Sequence, residues 1–302
     1  MPPQKTRLDA TAVAIVVLLC ALWGFQQTTL KVAAAGGLPP LYQPALRSAG
    51  AAICVFAWIA IRDGRAAAAA LFRLDATTGA GLIVALLFAL EFITLYPGVN
   101  ATSASRAVIF LYTAPFFTAL GAHFFLPTER MRPRHAAGLL IAFAGVAAAF
   151  ADGLRTGEGS IVGDLLCLTA GALWGATTVV IKASPAIAKA GFARALFIQL
   201  AGSAPVLIVC AILAGQFPIW PDATPLAWAS LFYQTVIVAF LSYLTWFRLI
   251  MVYPASRLAG FTFLTPLFGI FAGTFLLGET PSMALFAGLA AIAVGLRLLN
   301  TK

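Results

Sequence analysis

Charge is scarce in this chain. Of 302 residues only 10% are Asp, Glu, Lys or Arg, against about 25% in an ordinary soluble domain. Histidine is scarcer still: His123 and His135 both lie in or near the ends of apolar runs. The four cysteines, Cys20, Cys54, Cys167 and Cys210, sit singly inside apolar runs and form no CxxC. These absences exclude a disulfide framework and a metal site. The phosphate-cradling pattern GxxxxGK[ST] is missing, and every link between apolar runs is too short to hide a nucleotide domain. Neither a Ser-His-Asp set nor a cofactor motif occurs, so no catalytic residues and no cofactor are expected.

Apolar residues fill the space. They make up 62% of the chain, and the mean hydropathy is +0.97. A soluble fold of this size still exposes about a quarter of its unfolded surface, so so apolar a chain has too little polar surface to cover itself. Lipid bilayer is the partner that fits. A spanning helix needs about 20 mostly apolar residues, and runs of that kind occur near 10–33, 42–61, 76–96, 102–126, 134–151, 161–182, 191–214, 225–248, 254–277 and 281–299. They do not alternate as barrel strands would, and helices satisfy their backbone polar groups within the segment. The expected class is an all-α membrane protein of ten transmembrane helices. The first run is longer than the apolar region of a signal peptide and is read as an uncleaved span.

The net charge of +9 does not form a basic face, so nucleic acid is not an expected partner. The bases sit between the apolar runs and report topology. With the N-terminus in the cytoplasm, fifteen of the 19 bases fall inside: Lys5, Arg7, Arg62, Arg65, Arg73, Arg130, Arg132, Arg134, Lys182, Lys189, Arg194, Arg248, Arg257, Arg297 and Lys302. Lys31, Arg47, Arg106 and Arg155 fall outside. Both termini are therefore expected in the cytoplasm, in a multi-pass protein of a bacterial inner membrane.

The chain repeats itself at an offset of 151 residues. Ala21-Leu22-Trp23-Gly24 and Lys31 recur as Ala172-Leu173-Trp174-Gly175 and Lys182. Ala104-Ser105-Arg106 recurs as Ala255-Ser256-Arg257, and Phe110, Pro115 and Phe117 recur as Phe261, Pro266 and Phe268. Thr94 matches Thr245. Residues 1–151 and 152–302 are thus expected to be two five-helix repeats. Five is odd, so the second repeat must enter the membrane inverted. Inverted repeats characterise alternating-access transporters.

The Trp-Gly-then-Lys pattern of spans 1 and 6, Pro44 and Arg47 on span 2, Thr265-Pro266 on span 9, Gly278-Glu279-Thr280 before span 10, and the pairs Gly138–Gly145 and Gly288–Gly295 together resemble the drug/metabolite transporter superfamily with paired EamA domains. Within it the chain is similar to YddG-type exporters of aromatic and other neutral amino acids. The resemblance covers nearly the whole chain and implies export of such solutes and related metabolites. The halves are not equivalent, however. Pro127-Thr128-Glu129 stands where the second half has Gly278-Glu279, and Arg47 matches Ile198.

Candidate substrate residues follow from polar and aromatic positions inside the spans. Glu91 is the one acid well inside a span, and intramembrane charge is costly and usually functional. It reads either as a proton-coupling site or ammonium contact, or as a structural partner of Arg106, Lys31 or Arg47. Phe88, Phe92 and Tyr96 on span 3 face Tyr243 and Trp246 on span 8 in kind. Thr113 and Phe117 on span 4 match Thr265 and its neighbours on span 9. Trp23 and Gln27 on span 1 mirror Trp174 and Thr178 on span 6. A solute held near the midplane among spans 1, 3, 4, 6, 8 and 9 could meet them, with an ammonium over an aromatic face. Pro115 and Pro266 are candidate bends. Spans 5 and 10 carry small residues and are candidates for joining the halves or a second copy as a homodimer. The alternatives are an exchanger of phosphorylated metabolites, an exporter of drug-like cations, a membrane-embedded enzyme, and a scaffold without transport.

Overall fold

A computed structural model describes residues 5–102, 104–149, 160–217, 222–269, 271 and 283–300. Among the described residues there is no strand. The helices are α1 (Ala10–Ala35), α2 (Tyr42–Arg62), the short α3 (Arg65–Ala69), α4 (Thr77–Ala101), α5 (Ala104–Leu111), α6 (Ala114–Phe125), α7 (Pro133–Ala149), α8 (Ile161–Ala183), the short α9 (Pro185–Ala190), α10 (Phe192–Leu213), α11 (Pro225–Phe232), α12 (Tyr243–Val252), α13 (Ala255–Phe261) and α14 (Met283–Asn300). Tyr233–Ser242, between α11 and α12, is π-helical.

Among the described residues, seven stretches are long and apolar enough to cross a membrane: Ala10–Ala35, Tyr42–Arg62, Thr77–Val99, Arg106–Phe125, Ile161–Ala183, Phe192–Leu213 and Pro225–Val252. Pro133–Ala148 and Phe286–Leu299 are shorter apolar helices. The expected span 254–277 begins as α13 and leaves the described residues after residue 271; Gly278-Glu279-Thr280 also lies outside them. Large apolar side chains point outward along these helices, such as Ile53 (67% exposed), Leu82 (61%) and Phe124 (70%). Outward-facing Leu, Ile and Phe at that density would be costly in water. The chain is a multi-pass membrane protein.

Helix ends follow local chemistry. Asp9 starts α1, where its carboxylate accepts from the Ala12 N–H at 2.9 Å, as an N-cap does. Lys5 and the Tyr253 hydroxyl also donate to Asp9. The Lys5 ammonium first, then these N–H and O–H donors, hold the Asp9 carboxyl well below the usual carboxylate range. Ser184 and Thr224 cap α9 and α11. Gly37 turns the chain after α1 at φ 102°, a left-handed conformation that favours glycine.

The chain divides into two compact units, and each draws on both halves of the sequence. The first comprises residues 26–93 and 180–251. Here α2 lies along α10 and along the π-helical segment. Its core near the loop after α1 is Ala33, Leu38, Tyr42, Ala227 and Leu231. The Tyr42 ring packs on Phe217 at 5.7 Å and Trp228 at 6.5 Å.

The second unit comprises residues 2–25, 94–179 and 252–302. Its dominant contact is α7 against α14. A Cβ on Gly138 would come within 2.8 Å of the Gly295 carbonyl, and one on Gly145 within 2.7 Å of the Gly288 carbonyl. Such close backbone approach is what small residues permit in membranes. The small faces of the expected spans 5 and 10 are therefore spent on each other, joining the two halves of one chain.

The repeat is also visible inside this unit. A Cβ on Gly24 would meet the Phe268 Cβ and the Thr265 carbonyl, each at 2.7 Å. A Cβ on Gly175 would meet the Phe117 Cβ at 2.8 Å and the Ala114 carbonyl at 3.1 Å. Every residue of the first contact is the 151-residue counterpart of one in the second. Span 1 thus meets span 9 as span 6 meets span 4, and each contact crosses from one half of the sequence to the other. The proline positions match too. The helix breaks at Tyr112 and Thr113 before Pro115, and tightens to a 3₁₀ turn at Thr262–Leu264 before Pro266. A proline has no N–H and clashes with the carbonyl four residues back, so both interruptions fall where the proline demands.

Candidate functional site

The expected site residues fall into two groups, each within one unit. In the first unit are Phe88, Glu91, Phe92, Tyr243 and Trp246. Phe88 and Phe92 are four residues apart, hence on one face of α4. Their rings meet edge-on at 4.9 Å. The Tyr243 ring packs against Phe88 at 6.2 Å. Phe88, Glu91, Phe92 and Trp246 are all buried. Of the aromatic residues expected on spans 3 and 8, Phe88 and Tyr243 are in ring contact with each other, and Tyr96 belongs to the other unit.

Tyr243 owes its position to the π-helical segment. Its N–H donates to the Val238 carbonyl, five residues back. A π turn holds one residue more than an α turn and rotates everything downstream; such turns occur mostly at functional sites. Within this segment Gln234 is fully buried. Its amide donates to Gln43 Oε1 on α2 at 3.3 Å, and Gln43 donates to the Leu38 carbonyl at 3.1 Å. Thr29 joins the same seam, its carbonyl accepting from Gln234 at 3.5 Å.

Arg47 stands one turn along α2 from Gln43 and is 0% exposed. Its Nη2 donates to the Tyr243 hydroxyl at 3.1 Å. The guanidinium carbon lies 4.4 Å from the centre of the Phe92 ring and 5.6 Å from that of Tyr243. This is cation–π geometry on two rings of the expected aromatic group. Glu91, the residue before Phe92 on α4, is buried in the same unit. Arg47, Gln43, Gln234 and Thr29 were not among the expected site residues. The available signal was a base six residues into an apolar span, with no counterpart at Ile198.

In the second unit are Trp23, Tyr96, Thr113, Phe117, Trp174, Thr178 and Thr265. Trp23 and Trp174, the repeat-related pair, meet edge-on at 6.4 Å, and Tyr112 packs on Trp174 at 5.8 Å. The hydroxyls of Thr113 and Thr178 donate to carbonyls of their own helical turns, Phe110 and Trp174. Thr265 is fully buried, Phe117 lies against Gly175, and Tyr96 is half-buried. Helix α1 carries Gln27 and Lys31, whose side chains lie outside those described.

Two of the bases within the apolar helices have local partners. Arg106 pairs with Asp164, whose carboxylate also accepts from the Thr102 hydroxyl at 2.8 Å. Lys182 donates to the Ile250 carbonyl at 2.6 Å, in the last turn of α12. A cation suits a helix C-terminus, where carbonyls lack helical partners. Among the described residues no group of three or more His, Cys, Asp or Glu could hold a metal ion.

Comparison with known proteins agrees with this architecture. The profile of the EamA-like transporter family matches residues 10–151 and again 161–301. The chain is 29% identical to the Bacillus subtilis (strain 168) protein named "Uncharacterized transporter YvbV", across 100% of this chain and 93% of that protein. It is 28% identical to a Salmonella typhimurium (strain LT2) protein named "Probable amino-acid metabolite efflux pump", over 93% of this chain and 92% of the relative. An Escherichia coli (strain K12) protein of the same name is 26% identical over 93% of this chain and 92% of its own length. A solved crystal structure superposes with a TM-score of 0.78 over 96% of both chains at 20% identity, which speaks for the fold. Two matched repeats, apolar helices throughout and repeat-related contacts lead to one family: this chain belongs to the EamA-like transporters, within the drug/metabolite transporter superfamily.

Proposed function

We propose that this protein is a secondary transporter that exports neutral amino acids, chiefly aromatic or hydrophobic ones, and related metabolites by alternating access. The observation that carries the reading is the buried Glu91 on the same helix as the edge-on pair Phe88 and Phe92, with Tyr243 packed against that pair. Aromatic faces suit an apolar side chain and an ammonium. An acid kept at that depth suits an ammonium or a transported proton. The names of the Salmonella and Escherichia relatives point to the same solute class. On this reading the chain makes ten spans in two inverted repeats, 1–151 and 152–302, with both termini cytoplasmic in a bacterial inner membrane. Each compact unit draws on both repeats, so the units, and not the sequence halves, are the bodies that change state. A homodimer through spans 5 and 10 would have to use their outer faces.

The test is flux of labelled phenylalanine or leucine from loaded proteoliposomes, with and without an imposed pH gradient. Flux above empty liposomes that responds to the gradient, and a Glu91→Gln variant that loses this response, are the expected results. Absence of flux from folded protein would sink the amino-acid reading. Flux with unchanged pH response in Glu91→Gln would remove the proton role and leave the ammonium role.

A further inference from the structure

Among the described residues, two cations within the apolar helices have a dedicated oxygen partner. Arg106 has Asp164, and Lys182 has the Ile250 carbonyl. Arg47 is different. It is fully buried, its Nη2 donates to the Tyr243 hydroxyl, and among the described residues its Nε and Nη1 have no hydrogen-bond partner.

A guanidinium is charged at every physiological pH and presents five donors in a rigid planar fork. The rings of Phe92 and Tyr243 take the cation's charge but accept no in-plane N–H. Buried donors left unanswered are destabilising, and a transporter that retains them has a use for them. The group that fits a guanidinium fork is a carboxylate, which takes two parallel N–H bonds.

The surroundings narrow the choice. Tyr243 and Phe92, which hold Arg47, belong to the same cluster as Phe88, and Glu91 lies beside Phe92 on α4. One unit therefore brings together a buried base, a buried acid and three aromatic rings, of which Phe88 and Phe92 are buried and Tyr243 is half-buried. A zwitterionic α-amino acid has the complementary set: a carboxylate, an ammonium and a side chain. An exchanger of phosphorylated solutes would want a second base, whereas the acid here opposes a dianion.

We propose that Arg47 is the carboxylate anchor of the substrate site: it receives the α-carboxylate of a neutral amino acid, while Phe88, Phe92 and Tyr243 receive the side chain. The proposal rests on the amino-acid reading above and adds the feature that tells an amino acid from an amine. Because residue 198, the repeat counterpart, is isoleucine, there is one anchor per chain and one way round for the solute.

The experiment is competition against labelled-phenylalanine flux in proteoliposomes of the full-length protein, using unlabelled phenylalanine, phenethylamine (no carboxylate) and 3-phenylpropionate (no ammonium). Wild type should prefer phenylalanine over phenethylamine by about tenfold or more, the scale of losing charge-assisted hydrogen bonds. Arg47→Gln should bring the two within about twofold, and Arg47→Lys should restore part of the preference. A structural role would lower all fluxes together and leave the ratio unchanged. Equal competition by phenethylamine in wild type, or an unchanged ratio in Arg47→Gln, overturns the anchor while leaving amino-acid transport in place. If wild type moves no amino acid, the functional reading falls and the anchor with it. Should Arg47→Gln fail to fold, the wild-type ligand series alone decides.

Discussion

Arg47 and Arg106 look alike in the sequence. Each is a base inside the outer-side group, near the end of an apolar run. The structure gives them opposite surroundings. Arg106 is about a quarter exposed and meets a dedicated acid, with its Nε 3.1 Å from Asp164 Oδ1 and its Nη2 on the other carboxylate oxygen. Arg47 is deeper and rests on two aromatic rings and one hydroxyl. Depth alone does not separate a structural charge from a working one. A charge with its own counter-ion and its donors filled has no room for a ligand, whereas a charge stabilised by ring faces keeps its in-plane donors available.

That contrast can be broken or sharpened by experiment. The largest effect should come from Asp164→Asn, which strips the partly exposed Arg106 of its counter-ion; because Asp164 itself is buried, the loss should exceed that of an ordinary surface ion pair. Thermal unfolding in detergent would record it, and Arg47→Gln should melt close to wild type in the same assay. If Arg47→Gln is the worse of the two, Arg47 is structural and the contrast fails. Next, Gly24→Ala and Gly175→Ala should each cost about 1–3 kcal/mol through overpacking. The two losses should match, because the contacts are repeat counterparts; a large difference would show that the symmetry is only nominal. Tyr243→Phe removes one hydrogen bond from Arg47 while keeping the ring. It should weaken phenylalanine competition by about 1 kcal/mol, or some fivefold, and retain preference over phenethylamine. Smallest is the acid sensitivity tied to Asp9. Its carboxyl is held below the usual range in the folded state. Its contribution is therefore complete above the unfolded value and is lost as pH falls through the lowered folded value. Asp9→Asn should flatten the melting profile across that acidic window, lowering stability at neutral pH, where the carboxylate contributes in full, and converging with wild type at the acidic end.

Much of the architecture was legible before any coordinates. The 151-residue offset foretold Gly24 and Gly175 as equivalent positions, and their contacts with spans 9 and 4 correspond residue for residue. Prolines 115 and 266 marked the two interruptions because a missing N–H acts locally. The aromatic residues of spans 3 and 8 likewise announced a shared cluster. Arg47 was not legible as a site residue. A base near a span end is usually a topology signal, and only the packing of α2 against its neighbours shows that this one cannot reach water. The polar seam of Gln43 and Gln234 was hidden for a related reason: glutamine carries no charge to stand out among apolar residues. The π-helical turn has no signature in the hydropathy pattern. The small faces of spans 5 and 10 were recognised as contact surfaces, but which surface they met needed the fold.

The π-helical segment also bears on how a duplicated molecule acquires a preferred direction. On the alternating-access reading proposed above, identical halves would make the inward- and outward-open forms two-fold equivalents of equal energy, with neither side of the membrane privileged at rest. Residues 233–242 are wound with the extra residue per turn, whereas their counterparts in α4 run as ordinary helix. That one local rewinding lifts the degeneracy. On that reading, equivalent positions of the two repeats differ in pitch, and the two states differ in cost.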